Sequence, residues 1–479
     1  MPRPLSIGDF TEHEKIKSCL KRLEDRFGAG GKDLIVSDLL DGEGHQFVNL
    51  VQKGGGVLGV ALVGYTYILE MMNIRFLKLA GTSAGAINTS LMTVIGNKTD
   101  KKSDRILDAI CKLDFFSFVD GHPTAKWIIK NFLKSNNFKK RLKLVSFILL
   151  GFLSLELAAD IFLTILQLKH PGLATYTIGS YLLTAFTILF ISILLFYGRR
   201  LLRRLKNSGF GVNPGNEFYD WIKAQMANNN VNTVSDLNAK AAQPIPGLQL
   251  RSNNSMGLKD LEGKVVFIAS EIVTQNKIQF PEMCDLFRLP DNIDSLSPAG
   301  FVRASMSIPI FFESYVIKDI PCERDEIRQK WKNLNVSEPP SVTRFVDGGI
   351  LSNFPISVFF NPNVTVPRLP VFGIDLDDSN DKKEELNPQH WSFGQYIGNM
   401  FNTVRNYYDR DFLIKNAIYE QGIGKVKVTG YNWLDFFLSD KKKIELFIIG
   451  AQAATDFLLN FDWKTYQGVR EQAKKENLI

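Results

Sequence analysis

Residues 76–97 have the sequence FLKLAGTSAGAINTSLMTVIGN, and this stretch decides the fold. The apolar run 76–80 predicts a short buried strand, and a helical pattern follows the turn. Ser83 lies in that turn with Gly81 and Gly85 two positions before and after it, which is the pattern of a nucleophile elbow. The turn is too sharp for a side chain at either glycine. The serine hydroxyl would stand above the sheet, facing free N–H groups of the next helix. A Ser/Gly-rich turn without chemistry is the alternative.

The composition indicates a large globular protein without a zinc site. The chain has 479 residues, enough for about two to three domains, and is 22% charged and 45% apolar. Its four cysteines lie far apart and form no CxxC pair, which argues against zinc and against a disulfide framework. This cysteine pattern suits a reducing compartment.

The basic charge of the chain is concentrated around one segment. Ten Lys and Arg residues lie in 134–143 and 199–206, which contain no acidic residue, whereas the net charge of the whole chain is only +7. The excess therefore comes from two local patches and does not indicate nucleic-acid binding. Such patches are typical of the cytoplasmic ends of membrane helices.

Two apolar segments between these patches predict a transmembrane hairpin. They cover 144–168 and 173–197, and each can span a hydrocarbon core of about 30 Å. The first contains Glu156 and Asp160, which make insertion costly and should face the partner helix, another subunit or water. Because both outer ends are basic, we expect both termini to be cytoplasmic. The alternative is a hydrophobic hairpin packed on a soluble domain.

A second glycine cluster precedes the elbow. A strand pattern runs into Gly54, Gly55 and Gly56, and Gly59 opens a helical stretch. Consecutive glycines let backbone N–H groups approach a ligand and point in one direction. The Lys-Ser/Thr pair of a phosphate-binding loop is absent, so we expect an oxyanion hole. A plain tight turn is the alternative.

Asp347 is the candidate general base. It ends a predicted strand and is followed by Gly348 and Gly349. Strands alternate with helices along the chain, which predicts a mostly parallel α/β sheet whose carboxyl ends could bring Asp347 close to Ser83. His390 is the alternative base, because no other histidine follows the order Ser, Asp, His.

Several motifs, in this order, resemble the patatin-like phospholipase family. They are KGGGVLG at 53–59, GTSAG at 81–85, ASMSIPIFFE at 304–313 and FVDGGILSNFP at 345–355. The similarity covers about 47–130 and 208–458, with the predicted hairpin inserted between. The resemblance implies a three-layer α/β fold and a Ser–Asp dyad that works without histidine, without a metal and without a cofactor.

The resemblance also implies a role for each motif. Ser83 would be the nucleophile and Asp347 the general base, and the N–H groups of residues 54–56 would form the oxyanion hole. The remaining motif glycines would support these turns; they are Gly59, Gly81, Gly85, Gly348 and Gly349. One departure is Leu58, where members of the family often have Arg or Lys.

The resulting hypothesis is a membrane-anchored lipid acyl hydrolase. It would cleave fatty-acyl esters of glycerophospholipids at a cytoplasmic site, with membrane phospholipid and the bilayer as partners and with oligomerisation through the hairpin left open. The predicted organisation is an N-terminal helical segment at 1–46, a first catalytic part at 47–135, the insert at 136–207 and a second catalytic part at 208–479. Two alternatives stay open: a binding or scaffold protein on a silent fold, and an esterase with a Ser83–Asp347–His390 triad.

Overall fold

The computed structural model describes residues 5–123, 126, 138–207, 209–251, 258, 261–361, 364, 366–377, 393–416 and 418–475. The chain divides into two compact units. The main unit comprises Met1–Val119, Gly215–Pro309 and Ser314–Ile479, and the hairpin unit comprises Asp120–Pro214 and Ile310–Glu313. The predicted insert at 136–207 lies within the hairpin unit, which extends further on both sides.

The strands in the described residues are β1 (Leu39–Leu40), β2 (Gln46–Gln52), β3 (Ile74–Thr82), β4 (Gly211–Asn213), β5 (Gln249–Leu250), β6 (Lys264–Glu271), β7 (Asn276–Phe280), β8 (Ile310–Phe312), β9 (Tyr315–Ile317), β10 (Thr343–Asp347), β11 (Val371–Asp377) and β12 (Ile423–Lys427).

The helices in the same residues are α1 (Ile7–Thr11), α2 (Glu14–Phe27), α3 (Gly59–Met71), α4 (Ala84–Val94), α5 (Ser103–Cys111), α6 (Phe138–Lys169), α7 (Ala174–Asn207), α8 (Asn216–Ala227), α9 (Val234–Ala241), α10 (Pro298–Ser305), α11 (Asp325–Lys332), α12 (Phe393–Lys415), α13 (Ile418–Gln421), α14 (Asp440–Asn460) and α15 (Trp463–Lys475).

The central sheet of the main unit is mixed. Its strand order is β12-β11-β2-β3-β6-β10-β9, and the five strands from β12 to β6 are parallel to their neighbours. Strands β7, β9 and β10 join antiparallel, as do β1 and β5 at the edge of β2. The predicted parallel arrangement therefore holds for the five strands from β12 to β6, and the sheet as a whole is mixed. Short connections join β1 to β2 and β6 to β7, whereas β10 pairs antiparallel with β6 and β9 across longer connections.

Helices cover both faces of this sheet. On one face, Phe372 of β11 packs edge-on against Phe457 of α14 at 4.9 Å between ring centroids. On the other face, Val371 belongs to a cluster with Trp463 and Tyr466 of α15. Strand β2 is consequently buried along its whole length, as expected for an apolar strand inside a sheet that is covered on both sides.

The hairpin unit contains two helices that are long and apolar enough to cross a membrane, over Lys143–Lys169 and Pro171–Arg200. Their acidic residues face the partner helix. Glu156 Oε1 accepts a hydrogen bond from Thr187 Oγ1 at 3.1 Å, and Ser180 Oγ donates to Asp160. Both residues are more than nine-tenths buried. Of the three predicted surroundings, which were the partner helix, another subunit and water, the structure shows the partner helix.

Candidate active site

Ser83 lies between β3 and α4 in a conformation that few residues adopt. Its φ is 54° and its ψ is −119°. For a residue other than glycine, such a backbone costs about 1–3 kcal/mol and persists only where the surroundings hold it. The Ser83 N–H donates to Oγ of Ser305 at 3.0 Å, and the residue is only 5% exposed. The backbone therefore has the strand–turn–helix geometry of the predicted elbow.

The two elbow glycines are required by close backbone contacts. A Cβ on Gly81 would lie 2.3 Å from the carbonyl carbon and oxygen of Gly85. A Cβ on Gly85 would lie 2.2 Å from the carbonyl oxygen of Gln52. These distances are far inside van der Waals contact with atoms that cannot move independently, so only glycine fits at either position.

The glycine loop after β2 packs directly on the elbow. A Cβ on Gly54 would lie 3.1 Å from Ser83 Cβ, and a Cβ on Gly59 would lie 3.1 Å from Ala84 Cβ. Gly56 has a φ of +55°, and a Cβ there would lie 2.2 Å from the carbonyl oxygen of Trp433. The predicted oxyanion loop and the predicted nucleophile are thus brought together by the structure.

The hydrogen bonds of this loop distinguish among the predicted donors. The Gly54 N–H donates to the carbonyl oxygen of Asn353 at 3.0 Å, so it is already engaged. Within the described part of the chain, the N–H groups of Gly55 and Gly56 have no such acceptor. Ala84 begins α4, where the first N–H groups lack intrahelical partners. Gly55, Gly56 and Ala84 therefore supply the free donors, and Gly54 differs from the prediction by serving the loop itself.

Leu58, the departure from the family pattern, is buried in this loop. Its N–H donates to the carbonyl oxygen of Gly55 at 3.1 Å, and the neighbouring Val57 N–H donates to that of Trp433 at 3.0 Å. Lys53, on the other side of the glycines, forms an ion pair with Asp375 at 2.6 Å. Backbone hydrogen bonds and this ion pair hold the loop without a basic side chain at position 58.

Asp347 ends β10 and is buried, with 7% of its surface exposed. Its Oδ1 accepts a hydrogen bond from the Gly349 N–H at 2.7 Å, which orients the carboxylate. A Cβ on Gly348 would lie 2.1 Å from the carbonyl oxygen of Ile268 and 3.0 Å from Cγ2 of Thr82. The turn after Asp347 therefore packs against the residue that precedes Ser83.

One short segment contacts both members of the predicted dyad. It is the ASMSIP stretch at the end of α10. Ser305 Oγ accepts the Ser83 N–H at 3.0 Å, and the Ser307 carbonyl oxygen accepts the Asp347 N–H at 2.8 Å. The sequence comparison singled out this stretch only as a shared motif. Its role in holding the dyad depends on side-chain and backbone directions that no sequence pattern contains.

An apolar pocket adjoins the elbow and the glycine loop. Its cavity volume is about 50 Å³, and it is partly open to solvent. Gly56 and Ala84 form one side of it, and the apolar lining includes Val60, Val63, Ile87, Leu91, Ile106 and Phe118. The lining has the apolar character that is usual for sites that bind apolar groups. The alternative base His390 lies outside the described residues.

Comparison with known proteins identifies one matching family and one curated relative. Residues 50–360 match the family model described as Patatin-like phospholipase. A Bacillus subtilis (strain 168) protein named "Uncharacterized protein YqhO" is 24% identical over 412 residues, which are 86% of this chain and 98% of that protein. Among solved structures, VipD from Legionella pneumophila matches 88% of this chain and 70% of its own, at 13% identity and a TM-score of 0.34.

Proposed function

Because this chain belongs to the patatin-like phospholipase family, we propose that it is a hydrolase that cleaves fatty-acyl esters of glycerophospholipids through Ser83 and Asp347. Family membership indicates lipid acyl hydrolysis in general terms. The ester class, the dyad and the membrane attachment described below are our proposals.

In the first step, Asp347 takes the proton of the Ser83 hydroxyl while Oγ attacks the ester carbonyl carbon. Negative charge develops on the carbonyl oxygen, where the N–H groups of Gly55, Gly56 and Ala84 stabilise it. The bond to the glycerol oxygen then breaks, and Asp347 returns the proton to that oxygen. The lysolipid leaves, and the acyl group stays on Ser83.

In the second step, water replaces the alcohol. Asp347 takes a proton from water as the water oxygen attacks the acyl carbon. The bond to Ser83 Oγ breaks, the serine recovers its proton, and the fatty acid leaves. The same donors serve both tetrahedral intermediates, because the charge develops at the same oxygen.

The observation that most supports this proposal is that one segment of the chain holds both Ser83 and Asp347 in place. Both residues are buried, and both have their backbone N–H held by the segment from Ser305 to Ser307. A strained serine and a buried carboxylate both cost free energy, and a protein without catalytic activity would gain nothing from holding them together. The apolar side chains that line the pocket beside the glycine loop offer contacts to part of the acyl chain.

The test is release of free fatty acid from phospholipid vesicles by the wild type, Ser83→Ala, Asp347→Asn and His390→Ala. We expect the first two variants to lose about 10³-fold or more of the activity and His390→Ala to retain it. Loss of activity in His390→Ala would favour the triad. A silent wild type that also fails to react with a fluorophosphonate would favour a binding protein.

We further propose that α6 and α7 anchor the protein in a membrane. Both helices are long and apolar enough to span it, and large apolar side chains such as Phe147 and Leu195 are exposed on them. Their carboxylates pair with hydroxyl groups of the partner helix, which lowers the cost of placing them in lipid. The basic ends favour a cytoplasmic location for both termini.

Two measurements test the anchor. After an alkaline carbonate wash the protein should stay with the membrane fraction, and release into the soluble fraction would contradict the proposal. In intact cells, Gly172→Cys in the connecting turn should react with a membrane-impermeant maleimide, whereas Asn228→Cys, just after the end of α8, should react only after lysis. Equal labelling of the two variants in intact cells would refute the orientation.

A further inference from the structure

Asp409 is a buried carboxylate to which the sequence gives no role. It lies on α12 and is 9% exposed. Its Oδ1 accepts a hydrogen bond from Ser352 Oγ at 2.7 Å, and its Oδ2 accepts one from the Phe354 N–H at 2.8 Å. Burial raises the pKa of this carboxyl, whereas the two hydrogen bonds and the nearby Lys277 act in the opposite direction. Asp409 thus ties α12 to the loop that follows Asp347.

That loop contacts every part of the candidate active site. The Ser352 carbonyl oxygen accepts the Thr82 hydroxyl at 3.0 Å, one residue before the nucleophile. The Asn353 carbonyl oxygen accepts the Gly54 N–H at 3.0 Å, beside the free oxyanion donors. The Ser352 N–H donates to the carbonyl oxygen of Gly348 at 2.9 Å, in the turn after Asp347. Three neighbouring hydrogen bonds therefore join the loop to the elbow, the glycine loop and the base.

A carboxylate suits this position because it accepts from two donors at once. The Ser352 hydroxyl and the Phe354 N–H approach different oxygens of Asp409, on either side of Asn353. Together they fix the direction of the Asn353 carbonyl, which holds Gly54. A side chain without acceptors would leave both donors buried and unpaired, and the loop would then move to find water.

We propose that Asp409 is a positioning residue for the reaction proposed above, acting through residues 352–354 on the elbow and the glycine loop. The proposal rests on the proposed function, because the effect of Asp409 is measured as a change in the rate of fatty-acid release. Asp409 does not touch the substrate. It keeps the donors of the oxyanion hole and the nucleophile in register with each other.

The test measures kcat and KM for fatty-acid release, with kcat expressed per active serine titrated by a fluorophosphonate. Asp409→Ala should lower kcat on the order of 10²-fold with KM unchanged, since small displacements of reacting groups cost that much. Asp409→Asn should retain most of the activity, because its carbonyl can accept the Phe354 N–H and its amide can donate to Ser352 Oγ. Asp411→Ala is the matched control on the same helix, where the carboxylate pairs with the exposed Lys415 at 2.7 Å.

A merely structural role would give a different result. Asp409→Ala would then yield less folded protein, with a kcat per titrated serine equal to that of the wild type, and this result would overturn the proposal. If Asp409→Ala does not fold, Ser352→Ala decides, because it removes one of the two hydrogen bonds: a lower kcat at constant KM supports the proposal and an unchanged kcat refutes it. An inactive wild type would instead count against the proposed function.

Discussion

Substitution of Ser305 and of Ser307 is the most direct test of how the segment 305–307 positions Ser83 and Asp347. Ser305→Ala removes the hydroxyl that accepts the Ser83 N–H at 3.0 Å. Ser305 is fully buried, so water cannot readily replace the lost acceptor. An unpaired buried N–H costs about 1–3 kcal/mol. Because the backbone of Ser83 is itself strained by a similar amount, the elbow should relax away from its present geometry.

Ser307→Ala is the matched variant. The bond from Ser307 to the dyad is made by its main-chain carbonyl oxygen, which accepts the Asp347 N–H at 2.8 Å and survives the substitution. What the variant loses is the hydroxyl that accepts from Arg303 Nη1 at 2.6 Å. Arg303 is 4% exposed, so the loss should also destabilise the fold by about 1–3 kcal/mol.

The two variants should therefore separate stability from catalysis. Both should lower the melting temperature, but only Ser305→Ala should lower kcat per active serine, by about 10- to 10²-fold. The assay is fatty-acid release from phospholipid in detergent, with active serines titrated by a fluorophosphonate and unfolding followed by circular dichroism. Equal losses of kcat in the two variants, or full activity in Ser305→Ala, would refute the reasoning.

Three other predictions concern the main unit. Gly450→Ala should destabilise the main unit by about 1–3 kcal/mol or more, because a Cβ would lie 1.8 Å from the Ala61 carbonyl oxygen. Gly468→Ala should stabilise α15 by about 0.5–1 kcal/mol, because a Cβ there would meet open space. Chemical denaturation measures both changes in the free energy of unfolding. Burial, with repulsion from Lys102, lowers the pKa of Lys98 to about 7, so the unfolded state binds more protons above that pH. The free energy of unfolding should then rise with pH between about 7 and 10, and Lys98→Met should flatten the rise. Leu91→Trp should narrow the apolar pocket and lower kcat/KM for long-chain esters more than for short-chain esters.

The parts of the site that sequence could predict are those with local causes. The elbow needs two glycines at fixed distances from Ser83, and the contacts of Gly81 and Gly85 explain why. The glycine loop after β2 and the turn after Asp347 are also local patterns. Sequence could likewise locate the two apolar helices, because a long apolar segment needs no partner to be recognised.

The sheet was harder to predict because strand direction depends on connections as well as on composition. Strands β9 and β10 have the same apolar character as the parallel strands, and nothing in their residues reports that they run antiparallel. The hydrogen bond of the Gly54 N–H could not be predicted for a similar reason. Its acceptor, Asn353, is 299 residues away, and only the folded sheet brings the two together.

The two serines that hold the dyad show most clearly what the sequence alone cannot predict. Ser305 and Ser307 are two positions apart in the same motif, and as letters they are equivalent. One supports the nucleophile with its side chain, and the other supports the base with its main chain, because the backbone turns as α10 ends between them. A serine at position 305 is therefore required for its hydroxyl, whereas the contribution of residue 307 to Asp347 needs only a peptide carbonyl. It follows that residue identity within a shared motif is a poor guide to which substitutions the chemistry tolerates, and that the direction of each hydrogen bond is the better one.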